Sequence, residues 1–382
     1  MNINGNRVRQ ARELCGWTQD ELAYRAGIKQ PTLAQIELGT DKASEKVIDA
    51  IASNTGFRPV FFEKLDLVDF PLGSLLFRAH SSISSRQKTE AFRNAQLLFE
   101  IWEQFALSVN VLPVRLPSLP EDPVLAAKIT RAEFGISPDV PVPFLVHLAE
   151  KGGVVVLAIP NVLDKRDAFS LWAGTGTRKP VVAFAASSPG DRVAWSIAHE
   201  LGHLVMHHPI RPFAGDLEDQ ANRFAAEFLL PEAGVASELS YPLTFEKLAS
   251  LKKRWKVSMQ SLVRRAKDLN IINDRSYRYF FEQFNARGWK EVEPNPIPAE
   301  KPRALREMAE LIYGKPLNYA HMSNDTGVDI GRLRTILDAH AQRSGETSSP
   351  TNSAKARRNV VPMVPRQQSL VPDDPKIKLR EG

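Results

Sequence analysis

Residues 194–208 read Ala-Trp-Ser-Ile-Ala-His-Glu-Leu-Gly-His-Leu-Val-Met-His-His. On an α-helix, His199 and His203 stand one turn apart on the same face and can share one metal ion. Glu200, beside them, is placed to take a proton from water activated at that ion. A third protein donor is needed. Glu218, fifteen residues after His203, opens a second helical segment, Leu-Glu-Asp-Gln-Ala-Asn-Arg-Phe-Ala-Ala-Glu-Phe-Leu-Leu-Pro. Its apolar stripe of Ala221, Phe224, Ala225 and Phe228 would lay it against the first helix and bring Glu218 to the metal. Asp219 and Glu227 are the rival carboxylates. His207 continues the histidine stripe by a further turn and reads as lining the helix end, because a catalytic site keeps one position open. A closed structural zinc site would draw on several cysteines, and the chain has one, Cys15. Hydrolysis is the chemistry this pattern supports.

The elements that must carry these residues are legible around them. The motif helix is amphipathic through Ala194, Ile197, Leu201 and Leu204 and starts near Asp191. Before it come a helix over 126–134, a second helix after Val142 and strands at 153–159, 169–172 and 181–184, an α+β pattern. The segment as a whole resembles the ImmA/IrrE family of metallopeptidases. That resemblance rests on the His199-Glu-Leu-Gly-His203 helix ending in His207-His208 and on Glu218-x-x-Ala-Asn-x-Phe-Ala-Ala-x-x-Leu-x-Pro231. It implies a zincin-like domain over 126–235, with His199, His203 and Glu218 binding one divalent metal, Zn²⁺ or else Mn²⁺, and Glu200 as general base. It also implies a narrow substrate range, typically a helix-turn-helix repressor cleaved after stress or DNA damage, with single-stranded DNA a candidate signal.

Residues 8–40 carry a second kind of chemistry. Thr18-Gln-Asp-Glu21 fits a capping box that starts a helix, Gly27 ends that helix and Gly39 ends the next. Two short helices with small Ala23 between them make a helix-turn-helix. The segment resembles the phage-repressor (XRE/Cro) class, which implies that the helix from Gln30 to Leu38 enters the major groove. Gln30 and Gln35 fall at base-reading positions, and glutamine can bond adenine N6 and N7 together. Thr32 and Lys29 lie nearby, and Gln19 would bond a phosphate. Pro31 suits a first helical turn but cannot bond a base. Double-stranded operator DNA and a homodimer are the partners implied.

The 382 residues suggest two or three domains, and the net charge of +6 is unevenly spread. Residues 341–382 hold eight Lys/Arg against four Asp/Glu, whereas residues 1–66 hold nine of each. The DNA reading therefore rests on local groups, Arg7, Arg9, Lys29 and Lys42, and not on overall charge. The expected organisation is an all-α helix-turn-helix domain (1–68), a helical connector with a Pro-rich linker (69–125), the α+β peptidase domain (126–235), a helix-turn-helix-like helical domain (236–292), a helical segment (293–340) and a disordered basic tail (341–382). In the fourth of these, Ser258 should cap a helix over a core of Leu248, Leu251, Trp255, Leu262 and Val263. Lys252, Lys253, Arg254, Arg264, Arg265 and Lys267 form a basic cluster there that could face nucleic acid or simply water. No segment reaches the roughly 18 apolar residues of a membrane helix, and the N-terminus has no signal-peptide core, so a cytoplasmic location is expected. A non-enzymatic repressor or antitoxin-like regulator, its metal domain sensing a ligand, is the competing reading.

Overall fold

The structure, a computed structural model, describes residues 3–65, 69–71, 84–119, 122–160, 168–207, 217–290 and 292–340. The irregular stretch around Leu76–His80, His208 and the basic tail lie outside these.

The N-terminal unit is built from α1 (Gly5–Leu14), α2 (Gln19–Ala26), α3 (Gln30–Leu38) and α4 (Glu45–Thr55), closed by a 3₁₀ turn over Pro59–Glu63. The Thr18/Glu21 capping box forms as read, and Gly27 and Gly39 end α2 and α3 in the left-handed conformation that glycine adopts without strain. Val8, Ala11, Leu22, Ala23, Leu33, Ile48 and Ile51 are fully or almost fully buried between these helices. A long helix, α5 (Ser85–Ala106), then runs across α1. Arg7 reaches Glu100 at 2.8 Å and Arg93 reaches Glu13 at 2.6 Å, so the two helices are tied by charge as well as by packing.

The Pro-rich stretch before residue 123 is extended but not loose: Arg115 N–H donates to Gly152 O and Leu119 N–H to Val205 O. Its last proline, Pro123, opens α6 (Pro123–Glu133) behind an Asp122 cap, a position where the missing N–H costs nothing. There follow α7 (Leu145–Lys151), β1 (Val155–Ile159), β2 (Ala168–Ala173), β3 (Lys179–Ala185), α8 (Gly190–Met206), α9 (Leu217–Leu229) and the single turn α10 (Glu232–Val235). The sheet order is β1-β3-β2, with β1 parallel and β2 antiparallel to β3.

Both faces of this sheet are covered, which is why its strands are almost uniformly apolar. Val155, Leu157, Phe169, Leu171, Val181 and Ala183 share one core with α5 and the N-terminal helices. Val156, Ala158, Val182 and Phe184 share another with α8 and α9. The second core continues into α11 (Phe245–Trp255), α12 (Met259–Asp268) and α13 (Asp274–Ala286), where Leu248, Leu251, Trp255, Leu262 and Val263 are buried and Ser258 caps α12 as expected.

The final helices, α14 (Ala304–Tyr313), α15 (Tyr319–Thr326) and α16 (Ile330–Ala339), return to the N-terminal unit. Arg58 N–H donates to Gly327 O at 2.8 Å, Lys64 Nζ to Thr326 O at 2.7 Å, and Phe57 and Val328 form a β-bridge. At the other end of α16, fully buried His340 donates from Nδ1 to Ile336 O and accepts at Nε2 from the β1 amide of Ala158. No described helix is long and apolar enough to cross a bilayer.

Candidate metal centre and DNA-reading helix

Helix α8 buries Val193, Ile197, Leu201 and Leu204 and turns His199 and His203 toward α9. The approach of the two helices depends on Gly202. A Cβ there would stand 3.0–3.2 Å from the Phe224 ring, tighter than ordinary contact. Across this seam Glu218, at the start of α9, meets both histidines. His199 Nε2 and His203 Nε2 are 3.2 Å apart, and the Glu218 oxygens lie 3.3 and 3.6 Å from them. Ligand bonds of about 2.0–2.1 Å arranged tetrahedrally have edges of about 3.3–3.4 Å, so the triangle fits one small divalent cation. These three residues form the potential metal group among the described residues. Neither rival takes part: Glu227 is buried in an ion pair with Arg265, and Asp219 stands outside the cluster.

What aims the imidazoles was not read from the sequence. His199 Nδ1 lies 3.1 Å from Asn222 Oδ1, one turn after Glu218 on α9. His203 Nδ1 lies 2.8 Å from His207 Nδ1, and His207 Nε2 lies 3.0 Å from Gln220 Oε1. An amide oxygen can only accept, so His199 carries its proton on Nδ1 and presents the Nε2 lone pair to the cluster. The same logic runs along the second chain. Gln220 fixes the proton of His207 on Nε2, His207 Nδ1 accepts from His203, and His203 Nε2 is left as a donor atom for metal. His207 is thus the C-cap of α8 and an outer partner of His203. The signal was present: Gln220 and Asn222 are the amide side chains that follow Glu218 within one turn on α9.

Glu200 is 2 % exposed, and Ser170 Oγ donates to its Oε2 at 2.6 Å. Ser170 is the one hydroxyl in the Phe-Ser-Leu-Trp run of β2, a polar side chain on an inward-facing position. Like Asn222, it escaped notice because only the fold brings β2 under α8.

In the N-terminal unit the five DNA-reading candidates fall on one end of the α2–α3 pair. Lys29 and Gln35 are exposed; Gln19, Gln30 and Thr32 are half-buried. Gln30 Nε2 donates to Gln19 Oε1 at 2.8 Å, Gln19 Nε2 donates to Glu37 at 2.9 Å, and Arg12 grips Glu37 from below at 2.6 and 3.0 Å. A buried ion pair therefore orients the amide of Gln30 through Gln19.

Two of the six cations of the 252–267 cluster are buried, and two more are paired at the surface. Lys252 is buried against Asp191 and Glu293, Arg265 against Glu227, and Arg254 and Lys267 pair with Glu238 and Asp274. The run of cations in the sequence reflects two buried structural charges as much as a surface.

Residues 8–62 match the family model described as helix-turn-helix, and residues 149–267 match a peptidase family model described as the IrrE N-terminal-like domain. The chain joins an XRE-type helix-turn-helix to an ImmA/IrrE metallopeptidase domain. It is a DNA-binding regulator with a peptidase-related domain. No curated protein matches the chain. Among solved structures, the crystal structure of ComR from Streptococcus suis is similar at 14 % identity over 89 % of each chain, with a TM-score of 0.15. The IrrE-like match begins inside α7 and ends at α12, so it takes in the sheet, α8 and α9 together.

Proposed function

We propose that this regulator sits at an operator as a homodimer and cuts one protein, itself or a partner repressor, with a metal-dependent endopeptidase of narrow choice. The observation that supports this most is the convergence of His199, His203 and Glu218 next to Glu200, which Ser170 holds in place. A divalent cation at these three donors, zinc by the preference of paired imidazoles, would supply Lewis acidity toward the scissile carbonyl. Glu200 takes the proton of the attacking water and hands it to the leaving amine. Its burial beside Ser170 keeps the carboxylate in one orientation through both transfers. Strand β2 is paired on one side among the described residues, and its other edge can take an extended peptide by main-chain pairing. At the other end of the molecule, Gln30 and Gln35 would read bases, and Gln19, Lys29 and Thr32 would hold the backbone.

One observation favours a second reading. The N-terminal helices, α5, one face of the sheet and α14–α16 share a continuous core. A ligand or metal at the peptidase domain could then alter DNA affinity without any cleavage.

Both readings are separated by following the intact mass of the metal-loaded protein beside Glu200→Gln, with and without single-stranded DNA. Fragments from wild type that fall at least about a hundredfold in rate in Glu200→Gln support the peptidase. Unchanged cleavage in that variant would sink it. Stable mass together with metal-dependent operator affinity favours the sensor. Footprinting tests the DNA half: Gln35→Ala should lose protection at one base step, by about 1–3 kcal/mol. A wild-type footprint in Gln35→Ala and Gln30→Ala would remove those contacts.

A further inference from the structure

On the α8 face that carries the histidines, a groove opens toward the N-terminus of the helix. Arg192, Ser196, His199 and His203 follow one another at intervals of four, three and four residues and so share a single stripe. The groove, a cavity of about 350 Å³, is lined by Arg192, Trp195 and Ser196 of α8, by Ser258, which caps α12, with Ser261 and Arg264 of α12, and by Trp289 and Lys290. Its floor holds three charges that satisfy one another. Lys252 Nζ lies 2.8 Å from Asp191 and 2.9 Å from Glu293. Glu293 also accepts the amides of Met259 and Gln260 at 2.7 and 3.1 Å, closing the N-terminus of α12. Lys252 and these two carboxylates together leave one negative charge, and Arg192, Arg264 and Lys290 outweigh it, so the lining is net positive by two.

We propose that this groove is a specificity subsite for an acidic side chain of the cleaved protein, about three residues from the scissile bond. The proposal rests on the peptidase reading and adds to it the class of sequence that is cut. Seven residues of helix separate Arg192 from His199, a rise of about 10 Å, which three residues of extended peptide also span. Trp195 and Trp289 add apolar surface to the lining, which strengthens an ion pair made beside them. A guanidinium fork matches the two oxygens of a carboxylate, and Arg192 and Arg264 both line the groove. The helix N-terminus that would otherwise cradle a phosphate is already filled by Glu293, which favours a peptide carboxylate over a nucleic acid.

The test uses the full-length, metal-loaded protein and pools of nine-residue peptides, each with Glu, Gln or Leu fixed at one position. Wild type should cut pools with Glu at one position near the third from the cut about tenfold faster than the Gln pools, the size of one charge-assisted hydrogen bond. In Arg192→Gln/Arg264→Gln the Glu-to-Gln ratio should fall to near one, while metal content stays at the wild-type value. Lys253→Gln, an exposed cation on α11, should keep the ratio. Lys290→Gln serves as a second variant if the double one fails to fold. Cleavage with no acidic preference at any position overturns the subsite. If no pool is cut at all, the peptidase reading is what suffers. Equilibrium binding of dye-labelled pools to Glu200→Gln then decides the groove: tighter binding of the Glu pools that disappears in the arginine variants supports it, and equal binding overturns it. An oligothymidylate that displaces the Glu pools at lower concentration than they bind also overturns the peptide assignment, in favour of a nucleic acid.

Discussion

Asn222 and Gln220 reach across from α9 to set the protons of histidines that belong to α8. A metal affinity built this way should be sensitive to residues that never touch the metal. Asn222→Ala frees the His199 ring to rotate or to change tautomer, and about 10- to 100-fold weaker metal binding is expected in competition with a chelator. His207→Ala should act similarly through His203. Wild-type affinity in both variants would mean that α8 alone holds its imidazoles.

The pair α8–α9 acts as one element because Gly202 lets the Phe224 ring lie against the α8 backbone. Gly202→Ala adds a methyl where the ring already makes close contact. In an exposed helix the change would be favourable; here overpacking should destabilise by about 1–3 kcal/mol in denaturant unfolding. It should also weaken the metal, because Glu218 is carried on the displaced helix. A more stable, fully metal-competent Gly202→Ala protein would contradict the packing argument. The same logic explains the linker before α6, where prolines suggested a tether and backbone bonds to Gly152 and Val205 pin it to the domain.

At the scale of the molecule, the C-terminal helices join α5 in fastening the N-terminal unit to the sheet. Burial lowers the Lys64 ammonium to about 8 where it caps carbonyls at the end of α15, and lowers the His340 imidazole from 6.5 to about 4. Neutral His340 accepts the Ala158 amide; protonated, it would face that N–H with another. Between about pH 4 and 6.5 the folded state binds fewer protons at this site than the unfolded chain. Its contribution is therefore complete above pH 6.5 and is lost as pH falls toward 4, by about 3 kcal/mol at most. Unfolding curves of wild type should fall more steeply across this window than those of His340→Gln. Parallel curves would assign the acid sensitivity to other groups.

Local order was legible in the chain itself: the Thr18 cap, the glycine stops, the three apolar strands and the His199–His203 turn all follow from spacing and residue type, whereas spacing left Asp219 and Glu227 beside Glu218 as candidate carboxylates. These are short-range properties, fixed by helical period and backbone conformation. Position in space is a different matter. That Ser170 lies under Glu200, that Glu227 is claimed by Arg265, and that Lys252 is a buried charge and not a surface one are decided by which elements meet. The pairs are separated by 30, 38 and 61 residues, respectively, and no local pattern links them. The sequence by itself determined which residues could do the chemistry; the packing of α8 against α9, α12 and β2 decided which of them are brought together.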